Sequence, residues 1–281
     1  MHGFTAATDD VGMLMLGLVM AGVVGGLVAG MLGVGGGIVI VPVLYHVLAG
    51  LGVDESVRMQ VAVGTSLATI IPTAISSLRA HNKKGVVDWA LLRAWVIPMI
   101  VGVGIGTMLA GMVSGPNLAL IFAIVAIPVA INMAFGKDSW RLAHAIPPGP
   151  GGWAIAGSIG WLSAMMGIGG GTLGVPTMSL CNYPIHRAVG TASAFGVIIA
   201  IPGALGMMAG GWGAHGLPPY SLGYVNLLGF ILIAPVSALM APVGARTAHM
   251  IDRKRLRRVF ALFIAITAAR MLLNALGVEL F

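Results

Sequence analysis

The sequence predicts an all-α polytopic membrane protein made of two inverted-topology repeats of about five helical segments each, with glycine-rich broken helices. Composition is the first reason, because 58% of the 281 residues are hydrophobic and only 8% are charged, unlike the composition of soluble domains. The second reason is a set of motifs that occurs once in each half of the chain. The third is that Lys and Arg are concentrated in alternate loops, as in multi-span proteins.

Apolar segments follow one another along the whole chain, and each is expected to be helical because lipid offers the backbone no hydrogen-bond partners. The stretch at 145–152 is rich in Pro and Gly and is interpreted as a linker between a first repeat at 1–144 and a second at 153–281. The segments are expected at 11–32, 37–51, 58–79, 88–113 and 116–135, and then at 152–167, 171–183, 187–211, 220–247 and 256–278.

The same motifs return in the same order in both halves. The glycine stretch G-V-G-G-G at 33–37 returns as G-I-G-G-G at 167–171, and A-V-G-T at 62–65 returns at 188–191. Each glycine stretch is followed within a few residues by a proline. Self-similarity of this kind indicates two homologous halves.

Loop charges predict which side of the membrane each connection faces. Basic residues follow the third segment and lie between the ninth and tenth, so these loops are expected in the cytoplasm. The turns at 112–117 and 209–220 carry no Lys or Arg and are expected outside. The third segment therefore ends inside while its repeat partner, the eighth, ends outside, which inverts one half relative to the other. Both termini are expected outside the inner membrane.

The glycine stretches are expected to interrupt helices, because each glycine costs about 1 kcal/mol relative to alanine in a helix and readily adopts positive φ. Free N–H groups at the start of the following half-helix form an anion site. Two inverted halves would bring two such sites together near the bilayer midplane. The alternative is that the glycines only allow close helix packing, as expected for Gly25, Gly26 and Gly30. The candidate substrate-binding glycines are Gly35, Gly36, Gly37, Gly169, Gly170 and Gly171.

Polar side chains near these stretches are the remaining candidates for substrate binding. The hydroxyl groups could donate to anion oxygens, or they could bond to a carbonyl one turn earlier. Arg270 could turn inward as an anion ligand or extend its charge outward to the membrane surface. The candidates with hydroxyl groups are Thr65, Ser66, Thr172, Thr191 and Ser193.

The ordered pair of glycine stretches, each followed by proline and then A-V-G-T, resembles the TauE/SafE family of sulfite and organosulfonate exporters over nearly the whole chain. The resemblance implies a multi-pass inner-membrane permease that exports small sulfur-containing anions such as sulfite, sulfoacetate or other organosulfonates. Together with the inverted repeat, it favours a secondary transporter working by alternating access.

Several other functions remain open or are disfavoured. A channel-like anion facilitator is the first alternative, and a soft-metal permease is a weaker one suggested by 18 methionines. No enzyme, cofactor or metal centre is predicted, since no nucleophile with its base and no metal-ligand trio stand out. The net charge of +7 is explained by cytoplasmic loops and membrane lipids rather than by nucleic acid. Whether the chain forms a homo-oligomer stays open.

Overall fold

The computed structural model describes residues 2–33, 35–135, 143–247 and 253–275. Within these ranges the chain forms ten α-helices and one short antiparallel β-hairpin. The strands are β1 (Ser221–Leu222) and β2 (Val225–Asn226). The helices are α1 (His2–Leu32), α2 (Gly37–Gly50), α3 (Glu55–Asn82), α4 (Trp89–Met112), α5 (Gly115–Phe135), α6 (Pro150–Met166), α7 (Gly171–Leu180), α8 (Ile185–Gly210), α9 (Leu227–Thr247) and α10 (Arg253–Ala275).

Six helices in the described ranges, α1, α3, α4, α5, α8 and α9, are long and apolar enough to cross a membrane. The predicted all-α polytopic membrane fold is therefore confirmed. By contrast, α2 has 14 residues and α7 has 10. At about 1.5 Å per residue they reach roughly 21 and 15 Å, short of a hydrocarbon core about 30 Å thick.

The ninth membrane segment begins later than predicted. Residues 220–226 form the β-hairpin and its flanks, and α9 begins only at Leu227. Pro218 and Pro219 cannot donate backbone hydrogen bonds, and Gly223 has a φ of 56° that suits a tight turn. By contrast, the first helix begins earlier than predicted: α1 starts at His2, nine residues before the predicted start of the first segment at 11. An apolar pattern marks where a helix meets lipid, not where the helix begins.

Helices α3 and α8 pack against each other in the centre of the protein and run antiparallel. Gly64 of α3 lies against Met207 of α8, and Leu67 lies against Gly203. Further along α3, Ala74 lies against Gly196. Residue numbers therefore rise along α3 as they fall along α8. These glycines let the two backbones approach closely, as small residues do between membrane helices.

The connections gather at two ends of the helix bundle. At one end, Gly115 lies against the carbonyl of Glu55, and Gly216 lies against Asp54; we call it the Gly115 end. At the other, the Ala143 N–H donates to the Leu180 carbonyl at the end of α7. The loop after α3 lies there too, because Asp88 contacts Arg187 at the start of α8. Lys84 lies in this loop, and we call this the Lys84 end.

Two helical hairpins enter the bundle from these opposite ends. In the first, α1 and α2 run antiparallel, with Gly25 against Ile40 and Gly50 against Leu14. Its short helix α2 ends at the Gly115 end, just before Asp54. In the second hairpin, α6 is followed by α7, which returns to the Lys84 end at Leu180. The glycine stretches form the tips of the two hairpins.

Candidate functional site

The tips of the two hairpins meet in the interior. Tip 1 comprises Gly33 and residues 35–37, and tip 2 comprises residues 167–171; all of these are buried. Gly35 lies so close to Gly169 that an added Cβ would be 2.8 Å from the Gly169 Cα. Gly37 lies against the Gly167 carbonyl and the Ile168 Cα. Any side chain larger than hydrogen at Gly35 or Gly37 would push the tips apart.

Positive φ angles allow the chain to turn at each tip. Gly33, Gly35 and Gly36 have φ values of 66°, 79° and 75°, and Gly167 has a φ of 65°. L-residues with side chains rarely adopt this left-handed region, so glycine is needed for the backbone as well as for space. The predicted breaks in the helices lie at these positions, between α1 and α2 and between α6 and α7.

Each tip is docked on the long helix of the other half. Gly33 lies against the carbonyl of Val189 in α8, and Gly167 lies against the Cα of Val63 in α3. Val63 and Val189 occupy the same position in the two A-V-G-T motifs. The two contacts are thus equivalent and exchanged between the halves.

At tip 2, the carbonyl groups that end α6 have hydrogen-bond donors. The N–H groups of Gly167 and Ile168 donate to the carbonyls of Ala164 and Ser163. The Ser66 hydroxyl of α3 donates to the Gly167 carbonyl at 2.7 Å. These bonds cap the negative end of the α6 helix dipole.

The amide ends at the tips lack comparable caps. The N-cap residues of α2 and α7 are Gly36 and Gly170, and neither supplies a side-chain cap. The first-turn N–H groups at Gly37 and Gly171 have no acceptor within their own helices. Two positive helix ends therefore lie at one contact, and at tip 2 the carbonyl groups at the end of α6 are capped. Such an arrangement favours a negatively charged ligand.

The predicted hydroxyl residues are distributed between the tips and the helix ends. Ser66 contacts tip 2, and Thr172 lies in the first turn of α7, where its N–H donates to the Gly169 carbonyl at 3.1 Å. Ser193 donates to the Gly190 carbonyl at 2.6 Å, one turn earlier in α8. Arg270 lies on an exposed part of α10 and is not brought to the buried tips.

Thr65 and Thr191 bind the residues that immediately precede two other helices. The Thr65 hydroxyl accepts a hydrogen bond from the N–H of Asn226 at 2.8 Å, just before α9. The Thr191 hydroxyl accepts from the N–H of Asp88 at 3.0 Å, just before α4. Each threonine thus binds the start of a helix in the opposite half. This role was not predicted, since the partners are 161 and 103 residues away.

A charged cluster at the Lys84 end was also missed by sequence reasoning. Asp88 caps α4 by accepting from the N–H groups of Ala90 and Leu91 at 3.1 and 3.0 Å. The Tyr183 hydroxyl donates to the same carboxylate, and Arg187 contacts it at 3.0 Å. An Asp before an apolar run is a recognisable N-cap signal, but its partners follow only from the fold.

The electrostatics of this cluster keep Asp88 ionised. Partial burial acts to raise the pKa of Asp88, but the hydrogen bonds from Tyr183 and Leu91 and the charge of Arg187 together lower it below its ordinary value. Burial and the bond to Asp88 raise the pKa of Tyr183 to about 12. The pair is therefore a neutral phenol donating to a carboxylate throughout the physiological range.

A cavity of about 440 Å³ opens beside this cluster at the Lys84 end. It lies between the first turns of α4, the linker and the turn that follows α7. Its wall includes Trp95, His144, Trp153, Cys181, Asn182 and Tyr183. Among the residues that the structure describes, no group of three or more His, Cys, Asp or Glu side chains could hold a metal ion.

The fold and the tips define a class, that of multi-span helical membrane proteins whose broken helices meet inside the bundle. A family model described as sulfite exporter TauE/SafE matches residues 18–271. The chain belongs to this family.

Similar proteins are membrane transporters by name. A probable membrane transporter protein of Haemophilus influenzae is 32% identical over 259 residues, covering 91% of this chain and 97% of the relative. Proteins with similar names from Methanocaldococcus jannaschii and Bacillus subtilis are each 26% identical and cover 91% of this chain and 94% and 96% of their own lengths. No solved structure matches the chain.

Proposed function

We propose that the protein is a secondary transporter that exports small sulfur-containing anions, such as sulfite or organosulfonates, across the inner membrane by alternating access. The class of protein rests on the family and on the transporter relatives. The sulfur chemistry of the substrate is taken from the family. Its negative charge and its binding place are supported by the tips, where two helix N-termini without side-chain caps lie together. That pair of amide ends is the observation that carries the proposal.

The proposal includes an inverted repeat with the boundaries expected from the sequence. Its support is the antiparallel packing of α3 and α8, which carry the equivalent A-V-G-T motifs. The exchanged contacts of Gly33 with Val189 and of Gly167 with Val63 add to it. Equivalent surfaces at opposite ends of the bundle are what a transporter needs in order to open alternately to either side.

A thermal-shift titration of the purified protein tests the proposal. Ethanesulfonate, sulfite, propionate and a soft metal ion are compared, and a ligand at 100 times its Kd stabilises the folded state by about 2.7 kcal/mol. Stabilisation by the sulfur-containing anions is expected. A shift with the metal alone would contradict the proposal.

The variant Gly36→Ala tests whether the anion binds at tip 1. Its methyl group would press on the Gly25 carbonyl and its φ is positive, so the substitution displaces the amide end of α2. We expect the anion-induced shift to be much smaller than in the wild type. Gly25→Ala is the matched control, because its methyl group enters the same interface but meets the movable Ile40 side chain. Equal anion shifts in both variants would remove tip 1 from the site.

A further inference from the structure

The cavity at the Lys84 end is separated from tip 2 by two stacked aromatic rings. Trp95, in the cavity wall, stacks on Phe195 with ring centroids 5.6 Å apart and an angle of 21° between the rings. Phe195 in turn covers the start of α7, where its Cβ lies against Gly170 and its ring lies against Gly174. The rings therefore occupy the direct route from the cavity to the amide end of α7.

Trp95 and Phe195 lie at increasing distances from the Lys84 end, as residues between the cavity and tip 2 should. Trp95 lies six residues after the start of α4 at Trp89, and Phe195 lies ten after the start of α8 at Ile185. At about 1.5 Å per residue these positions are roughly 9 and 15 Å from the Lys84 end. Trp95 is 3% exposed and Phe195 is fully buried, so the route is closed in this structure.

The chemistry of the cavity suits a small organic anion. The rings of Trp95, Trp153 and Tyr183 offer apolar faces to a hydrocarbon group, and indole and imidazole rings carry N–H donors. Asp88 is the one carboxylate among the described residues that line the cavity, and it already accepts from four groups, including Arg187. Lys83 and Lys84 in the adjoining loop give this end a positive field that attracts anions.

We propose that this cavity is an entry chamber that binds a small organic anion, and that Trp95 and Phe195 form the gate between the chamber and tip 2. The inference rests on the proposed function, since the chamber supplies the tips. It adds a second binding place and assigns Phe195 as the residue that limits passage. It also accounts for glycine at 170, because Gly170 has an ordinary helical φ of −57° and is required by the Phe195 contact rather than by the backbone.

The chain carries its own reporter of the chamber, since its single cysteine, Cys181, lies in the wall. The rate at which N-ethylmaleimide alkylates Cys181 is measured in purified wild-type protein with and without ethanesulfonate. We expect the bound anion to slow alkylation at least fivefold. Sodium chloride at the same ionic strength is the control. No alkylation, or a rate that ethanesulfonate leaves unchanged, would overturn the chamber.

The gate is tested with a thiol beyond the rings. Thr172→Cys in a Cys181→Ser background places the thiol in the first turn of α7. We expect Phe195→Ala to raise its alkylation rate at least tenfold. Phe122→Ala is the matched control, because Phe122 is equally buried in α5 but lies outside this route. Phe195→Leu serves if the alanine variant does not fold. Equal rates with and without the Phe195 substitution would overturn the gate.

The outcomes separate this inference from the proposed function. If Gly36→Ala removes the thermal shift while ethanesulfonate never protects Cys181, the tips bind the anion and the chamber does not. Ethanesulfonate could instead protect Cys181 equally in wild type and in Gly36→Ala and give both proteins the same thermal shift. In that case the anion binds in the chamber and not at the tips. Protection of Cys181 together with a tip-dependent shift supports both.

Discussion

The Ser66 hydroxyl links the two halves of the protein by a single hydrogen bond. It belongs to the A-V-G-T-S motif of α3, yet its hydrogen bond goes to Gly167 at tip 2. The equivalent residue after the second motif is Ala192, so the second half has no such donor. Without this donor, the buried Gly167 carbonyl would lower the stability of the folded protein by about 1–3 kcal/mol. Its partial negative charge would then be uncompensated beside the amide ends.

Ser66→Ala is therefore expected to lower both stability and anion affinity. Thermal unfolding with and without ethanesulfonate measures both effects. Ser193→Ala is the matched control, because Ser193 is also buried but donates only to Gly190 of its own helix. Loss of stability with unchanged affinity would show that the Gly167 carbonyl lies away from the anion.

The Tyr183–Asp88 bond predicts a pH profile of stability. Asp88 has a folded-state pKa below its ordinary 3.8, so its contribution is present above that pH and is lost as the pH falls through the folded-state pKa. Tyr183 has its pKa raised from 10.0 to about 12, so its contribution is present below pH 10.0 and is lost as the pH rises through about 12.

Tyr183→Phe should therefore lower the melting temperature by a constant amount between about pH 5 and pH 9. The difference from wild type should shrink below about pH 4 and above about pH 10. Tyr220→Phe, at a tyrosine that is 71% exposed, should show no such difference. A Tyr183→Phe effect that kept growing above pH 10 would have the wrong sign for a phenol donating to Asp88.

At the scale of single elements, the short helices α2 and α7 were the most readily predicted feature. Glycine at four of five consecutive positions strongly disfavours a helix, so the breaks at the tips could be predicted from local sequence. The β-hairpin before α9 did not, because apolar residues between 220 and 226 continue the pattern of a membrane segment. Thr65 and Thr191 were singled out by their symmetry, but their hydrogen bonds depend on residues more than 100 positions away.

The start of α7 offers a sharp comparison between two glycines one turn apart. An alanine methyl at Gly170 would meet the Phe195 Cβ at 2.6 Å, and one at Gly174 would meet ring atoms at 2.9 and 3.0 Å. The Cβ is fixed to the backbone of α8, whereas the ring can rotate. Gly170→Ala should therefore shift tip 2 and weaken anion binding at least tenfold. Gly174→Ala should bind nearly as wild type does. Titration by thermal shift measures both, and equal affinities would contradict this account.

At the scale of the whole molecule, the two ends of the bundle are expected on opposite sides of the membrane. In a Cys181→Ser background, cysteines at Ser114 and His215 should react with an impermeant maleimide from outside. Cysteines at Lys83 and His144 should react only after the membrane is opened. This follows from the basic residues at the Lys84 end. Ser114 and His215 on different sides would contradict the inverted repeat.

The exchanged contacts between the halves have a consequence for how the chain assembles. Tip 1 packs against Val189, and tip 2 packs against Val63. The N–H groups just before α4 and α9 each donate to a threonine of the opposite half. Each half therefore takes part of its interior packing from the other. The two halves of the polypeptide pack together in the way that two subunits of a dimer do. We therefore expect a protein cut in the linker to keep its two fragments associated, and a fragment that ends at the linker to need the other fragment in order to fold.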